Sequence, residues 1–272
     1  MTTDQFLLYS DLTADHGGMP PVRANLSKNA TIPSVIGGTL WEDTVNKRVY
    51  SYGGAYPDDS DTAADFVLYG YDILHDQWDS FGPPRSGGGD INPTSFGAGV
   101  SVSWRGEAYH YGGWLSGGSS NSGEEEGGRR LVASDRLVKY DMDSNTFSNL
   151  TGPDGVGRAE GTMVYIPIGD GGMLVYFGGV RESGDGNGTM EAQPLDEILL
   201  YDIGNTKWYK QGTSGQTPGD RRLFCGGATW AKDQSSYNMS VAPRYPSPPP
   251  LDEDTDKAQM HLRRRQRPSL LP

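Results

Sequence analysis

Cysteine is almost missing. Cys225 stands alone, which excludes an internal disulfide and a sulfur-rich zinc site and leaves the thiol to be read as a small buried hydrophobe. Basic residues are the minority, 23 Lys and Arg against 35 Asp and Glu for a formal charge of -12. The chain therefore lacks the positive surface that a phosphate backbone or an anionic membrane would need. Long apolar runs are absent too: Met173-Leu174-Val175-Tyr176-Phe177 falls far short of the ~20 residues of a membrane-spanning helix. Met1 to Leu12 carries Asp4 and Asp11, has no basic start and offers too short an apolar core for a secretory signal. As written, the chain reads as cytoplasmic; with a leader ahead of it, it would be secreted or displayed on the cell surface.

Glycine is plentiful, 39 of 272 residues, about twice the usual share of ~7 %, and so are flat aromatic rings, with 15 Tyr and 6 Trp. This composition favours turn-rich sheets over helices and a packed body over disorder. Three segments run from a diglycine to Tyr-Asp and on to an aromatic. They are Gly53-Gly54, Tyr71-Asp72 and Trp78; Gly112-Gly113, Tyr140-Asp141 and Phe147; Gly178-Gly179, Tyr201-Asp202 and Trp208. The step from Tyr to the aromatic is 7 residues every time, while the step from the second glycine to Tyr drifts through 17, 27 and 22. Constant spacing marks framework and variable spacing marks loops.

Short β-branched or aromatic runs lead into each diglycine, a second set precedes each Tyr-Asp, and a third, ending near Trp41, Trp104 and Tyr165, lies upstream. Asp4-Gln5-Phe6-Leu7-Leu8-Tyr9 aligns with Asp196 to Tyr201, and Gly226-Gly227-Ala228-Thr229-Trp230 opens a further repeat. Four strands per repeat, roughly 60 residues apart, describe the small antiparallel sheets of a β-propeller.

The Gly-Gly, Tyr-Asp and Trp marks resemble the kelch repeat of the galactose oxidase/kelch superfamily, and Arg221 to Asn238 resembles kelch-repeat proteins of filamentous fungi. The expected fold is all-β, an incomplete kelch-type propeller over 4-239 with three full blades and partial blades at each end, apparently truncated, followed by a disordered Pro-rich and basic tail over 240-272. That tail carries six basic and four acidic residues, which leaves -14 on the body. A further diglycine is expected near Ser240-Val241-Ala242, where codons of the form TCG GTG GCG would hide Gly-Gly-Ala in a shifted frame, so a frameshifted or mis-spliced reading is expected from about Met239.

The diglycines, Tyr71, Trp78, Tyr140, Phe147, Tyr201 and Trp208 are read as framework. Propeller loops carry the binding expectation, a protein or glycan ligand with no nucleic acid. Arg85, Arg158 and Arg222 recur ahead of first strands and either line a central opening or tie blades together, while Tyr56 and Trp114 follow diglycines as exposed aromatics. Asn-x-Ser/Thr sequons at Asn25, Asn29, Asn149, Asn187 and Asn238, five of the ten asparagines, are glycosylation candidates. The resemblance to galactose oxidase implies a copper site with a Tyr-Cys crosslink and histidines, but His16, His75, His110 and His261 are scattered and Cys225 falls in a strand. No catalytic, cofactor or metal residue is expected. The chain is read as a non-enzymatic module for protein or carbohydrate interaction, of fungal cell-surface or wall-associated type. The alternatives are a galactose oxidase-like enzyme fragment and a truncated product without independent activity.

Overall fold

The computed structural model describes residues 6–10, 21–27, 31–56, 66–87, 89–115, 132–184, 188–215, 217–242 and 259–263, with a few single positions before residue 21. Each repeat folds into a four-stranded antiparallel meander. The first blade is Thr39–Asp43, Arg48–Tyr52, Leu68–Asp72 and Gln77–Gly82. The second is Ala98–Val102, Glu107–Tyr111, Leu137–Asp141 and Thr146–Leu150. The third is Thr162–Ile166, Met173–Phe177, Glu197–Asp202 and Lys207–Gly212. A fourth sheet holds Cys225–Trp230, Ser236–Ala242 and Gln259–Arg263, and Phe6–Ser10 pairs with Val22–Ser27 at the other end. The fold is an all-β propeller with three full blades and a partial blade at each end.

First strands of successive blades pack on one another, so they are the innermost. The cores lie between blades: Trp41, Tyr50 and Tyr52 of the first meet Tyr140 and Phe147 of the second. Tyr109 and Tyr111 of the second meet Leu174, Tyr176 and Tyr201 of the third, and Phe177 of the third meets Phe224, Tyr237 and Met239 of the fourth. A blade alone would leave these faces in water, and each large side chain so covered contributes about 1.5–3 kcal/mol, so a blade is stable only against a neighbour.

The constant step of seven residues has a local cause. In the first blade Asp72 Oδ1 accepts from the amides of Leu74 and His75 at 3.0 and 3.1 Å, closing a turn whose last residue, Asp76, is left-handed at φ 50°. That geometry sets Tyr71 opposite Trp78. Asp141 and Asp202 close the equivalent turns, with Asn145 and Thr206 left-handed at φ 51°. Tyr140 then faces Phe147 and Tyr201 faces Trp208. The Tyr-Asp signature is thus half packing surface and half turn cap.

Two sequence expectations change here. Cys225 is exposed, because strand alternation turns Gly226 and Ala228 toward the third blade and Cys225 away from it. The boundary expected at 239/240 falls inside a strand that continues to Ala242, and Gln259–Arg263, placed within the tail, takes the third-strand position beside it. The alternation of Tyr237, Met239 and Val241 carries the strand onward. In this register Ala242 faces Cys225 as Tyr52 faces Thr39, so the diglycine slot follows Ala242 and does not fall within 240–242. The remainder of the tail lies outside the described residues.

Candidate functional site

Both hairpin turns of every full blade lie at one end. The loops of variable length leave from the other end, where the diglycines stand, and they are the candidate binding rim. The rim is built rather than loose, because after each diglycine the chain pairs again with the segment that enters an inner strand. Thr94–Ser95, Trp114–Leu115 and Val132–Ala133 form one small sheet, and Arg158–Ala159, Val180–Glu182 and Met190–Ala192 another. In the first blade the same pairing is a bridge between Ile36 and Ala55.

Backbone hydrogen bonds lock this end across blades. The second glycine of each diglycine donates to a carbonyl of the next blade: Gly54 to Thr94 at 3.0 Å, Gly113 to Arg158 at 2.7 Å and Gly179 to Arg221 at 2.7 Å. Two residues further on, Phe96 donates to Gly37, Glu160 to Phe96 and Leu223 to Glu160 at 2.7, 2.7 and 2.9 Å, each of these residues left-handed.

The register separates the three arginines. Arg158 is equivalent to Thr94 and Arg221; Arg222 is the next residue along, and Arg85 lies in a separate small hairpin with Asp90. Arg158 is buried. Its guanidinium reaches Asp154 twice, at 2.7 and 2.8 Å, the Tyr111 hydroxyl at 3.3 Å, the Gln193 carbonyl oxygen at 3.1 Å and the Val156 carbonyl at 3.0 Å. Burial by itself would lower the Arg158 pKa, but the hydrogen bonds and charge of Asp154 outweigh it and keep the group protonated. Asp154 is in turn held well below the usual carboxylate range, its own desolvation overcome by Arg158 and Lys210. Arg158 therefore ties loops together and does not line an opening.

Trp114 is also turned inward, 8 % exposed, with its indole N–H donated to Glu160 Oε1 at 3.1 Å. Across the same carboxylate, the exposed Arg222 sits 3.0 Å from Oε2 as an ion pair without directed hydrogen-bond geometry. Arg222, Arg85 and Tyr56 are the candidates with side chains in solvent. In the rim sheet of the third blade Arg181 pairs with Glu191 at 2.8 Å. Neither Glu160 nor Glu191 was singled out from sequence, since an acidic residue in a polar loop carries no local signal. Among the sequons, Asn149 is exposed on the outermost strand of the second blade, whereas Asn238 has its carbonyl oxygen buried. The side chains of Asn25, Asn29 and Asn187 lie outside the described residues.

His110 is fully buried between the first two blades. Thr94 Oγ1 donates to the Gly112 carbonyl at 2.6 Å and so accepts from Nε2, 2.9 Å away, while Thr39 Oγ1 donates to Nδ1 at 3.2 Å; this network assigns the tautomer. Burial pushes its pKa down to about 4. At the hairpin end Glu107 collects Arg105, Lys139 and the Tyr109 hydroxyl at 2.6, 2.6 and 2.9 Å. The His110 ring is thus held by two threonine hydroxyls and the Glu107 carboxylate by Arg105, Lys139 and Tyr109, and among the described residues no three His, Cys, Asp or Glu side chains gather as a metal site would require.

No protein-family model matches the chain. A kelch repeat-containing protein of Arthroderma benhamiae is 28% identical to it over 271 residues, an alignment taking in 87% of this chain and 39% of that protein. Over most of its length the chain is thus similar to a kelch repeat-containing protein. The chain spans about two fifths of the length of the curated relative that it matches. Among solved structures, YjhT aligns with 79% of this chain and 60% of its own, at a TM-score of 0.47 and 15% identity. No helix among the described residues is long and apolar enough to cross a membrane.

Proposed function

We propose that this kelch chain is a non-enzymatic interaction module that engages a protein or glycan through the diglycine-end rim. The observation that carries the reading is the contrast between the two ends. At the hairpin end the Asp-capped turns between third and fourth strands repeat with one length and the inner turns stay short, whereas at the rim loops of different length rise from a rigid network of interblade hydrogen bonds. A rigid base with divergent loops is the arrangement of a recognition surface. The inward commitment of Arg158, Glu107 and His110 supports binding over catalysis, since none of them is left to face a substrate.

The exposed Asn149 sequon supports a chain that passes through a glycosylating compartment, as a fungal surface or wall-associated protein would. The test is comparative retention by the immobilised chain. A specific protein or glycan is held by the native chain and by hairpin-end variants such as Asp170→Ala, and is lost with Arg222→Glu combined with Arg181→Glu. Equal loss from both ends, or from neither, overturns the rim assignment. Release of hydrogen peroxide from galactose by the copper-loaded chain overturns the non-enzymatic reading.

A further inference from the structure

Every junction between successive blades is built in the same way, and two surfaces of the chain carry the two halves of one more junction. The backbone half runs through the left-handed residues that precede each inner strand. Phe96 of the second blade donates its amide to Gly37 of the first, Glu160 of the third to Phe96, and Leu223 of the fourth to Glu160. This relay is open at both ends. Among the described residues the Gly37 amide has no acceptor and the Leu223 carbonyl has no donor. The first blade thus offers the donor that a preceding blade would take up, and the fourth blade the acceptor that a following blade would fill.

The side chains repeat this relation. Thr39, Ala98, Thr162 and Cys225 hold one register position in the four inner strands, opposite Tyr52, Tyr111, Phe177 and Ala242. The next residues along, Leu40, Gly99, Met163 and Gly226, point to the other face. At the first junction a Cβ on Gly99 would strike the Thr39 side chain, and at the third a Cβ on Gly226 would lie 2.6 Å from Thr162 Cγ2. At the second, Ala98 and Met163 share one buried cluster. The first-position residue of each blade therefore meets the second-position residue of the next, and the pair left over is Cys225 with Leu40. Cys225 is exposed, and Leu40 is 60% exposed against 5% for Met163 at the same position, so these two faces do not meet within one chain. Their shapes fit. Ala98 on Met163 already sets a small side chain against a long one, and beside Cys225 the fourth blade has Gly227 and Ser240 where the first has Trp41 and Tyr50. A Cβ on Gly227 would meet nothing within 4 Å, which leaves room for Leu40.

We propose that this chain associates head to tail with a second copy of itself, the fourth blade of each against the first blade of the other. The two junctions are then identical, and two four-blade arcs close one ring at the upper end of the roughly 4–8 blades of propellers, a range that a third copy would exceed. The proposal rests on the register of the blades and not on the rim reading. Light scattering on the full chain up to about 100 μM is expected to show a mass rising to about twice the 29.4 kDa of one chain. Leu40→Asp, at a position already in solvent, is expected to raise the dimer Kd at least about tenfold while leaving Tm at low concentration unchanged. Orientation is read by cross-linking. A tagged chain carrying Leu40→Cys and Cys225→Ser, mixed with the native chain under mild oxidation, is expected to couple to Cys225 of the native chain faster than either chain couples to itself, because the equivalent pair, Thr39 and Gly99, lies within the reach of such a bond. The proposal is overturned by a monomeric mass at about 100 μM, by undiminished association of Leu40→Asp, by self-coupling of either chain as fast as the mixed product, or by a disulfide formed within one molecule of Leu40→Cys.

Discussion

The amide of Gly113 in the second blade donates to the carbonyl of Arg158 in the third at 2.7 Å. The preceding glycine makes that approach possible. Gly112 is left-handed at φ 69°, and a methyl group on its Cα would land on the same Arg158 oxygen. Gly53 stands in the same relation to Thr94. Gly112→Ala combines backbone strain with a clash against immovable backbone and is expected to cost about 2–4 kcal/mol, read as a lower urea midpoint at unchanged slope. Gly82→Ala, also left-handed but with open space around its Cα, is expected to lose only the strain, about 1 kcal/mol.

His110 makes stability depend on pH. Its folded pKa is about 4 against an ordinary 6.5, so the unfolded chain binds the proton first as the solution is acidified. Full stability is present above pH ~6.5, and it is lost progressively down to pH ~4, by up to about 3 kcal/mol for a group this buried. Urea midpoints across that window are expected to fall for the native chain and to stay nearly level for His110→Gln. The depressed Asp154 carboxyl acts in a separate window, its contribution lost only below the ordinary carboxylate pKa.

Removing one partner of the Arg158–Asp154 pair is expected to be worse than removing the charge itself. Asp154→Ala strands a guanidinium that is 1% exposed, a loss of about 3–5 kcal/mol. Arg158→Met keeps an apolar stem in the same space and leaves Asp154, 17% exposed and 2.6 Å from Lys210, with a partner. The comparison is made by equilibrium unfolding. A smaller loss for Asp154→Ala than for Arg158→Met would contradict the assignment of Arg158 as a buried tie.

Thr206 is a β-branched residue at φ 51° in the third-blade turn, where the equivalent position of the second blade is Asn145. Thr206→Asn relieves that strain and is expected to add about 1 kcal/mol, a rise of a few degrees in Tm by calorimetry.

Much of the framework is legible in sequence because it repeats. Tyr71 to Trp78, Tyr140 to Phe147 and Tyr201 to Trp208 share one spacing, since an Asp-capped turn of fixed length leaves only one register for the Tyr and the aromatic. The diglycines are visible for a similar reason, because no other residue tolerates both the backbone angle and the neighbouring carbonyl. Arg85, Arg158 and Arg222 looked alike, yet they occupy three unrelated positions. Proximity to a first strand in sequence says nothing about which carbonyl of the next blade a residue must meet.

The sequence by itself determined the elements of this protein: an all-β chain of repeats with four strands per blade, a Tyr-Asp turn of constant length in each and loops of variable length after the diglycines. Those features depend on local backbone geometry and on a period that recurs. Only the tertiary structure decided that Trp114 faces inward to Glu160, that Cys225 faces out, and that Arg158 is a buried tie. Each of these is settled by contacts between residues of different strands or blades. No spacing along the chain encodes them, because they depend on the register in which one blade packs against the next.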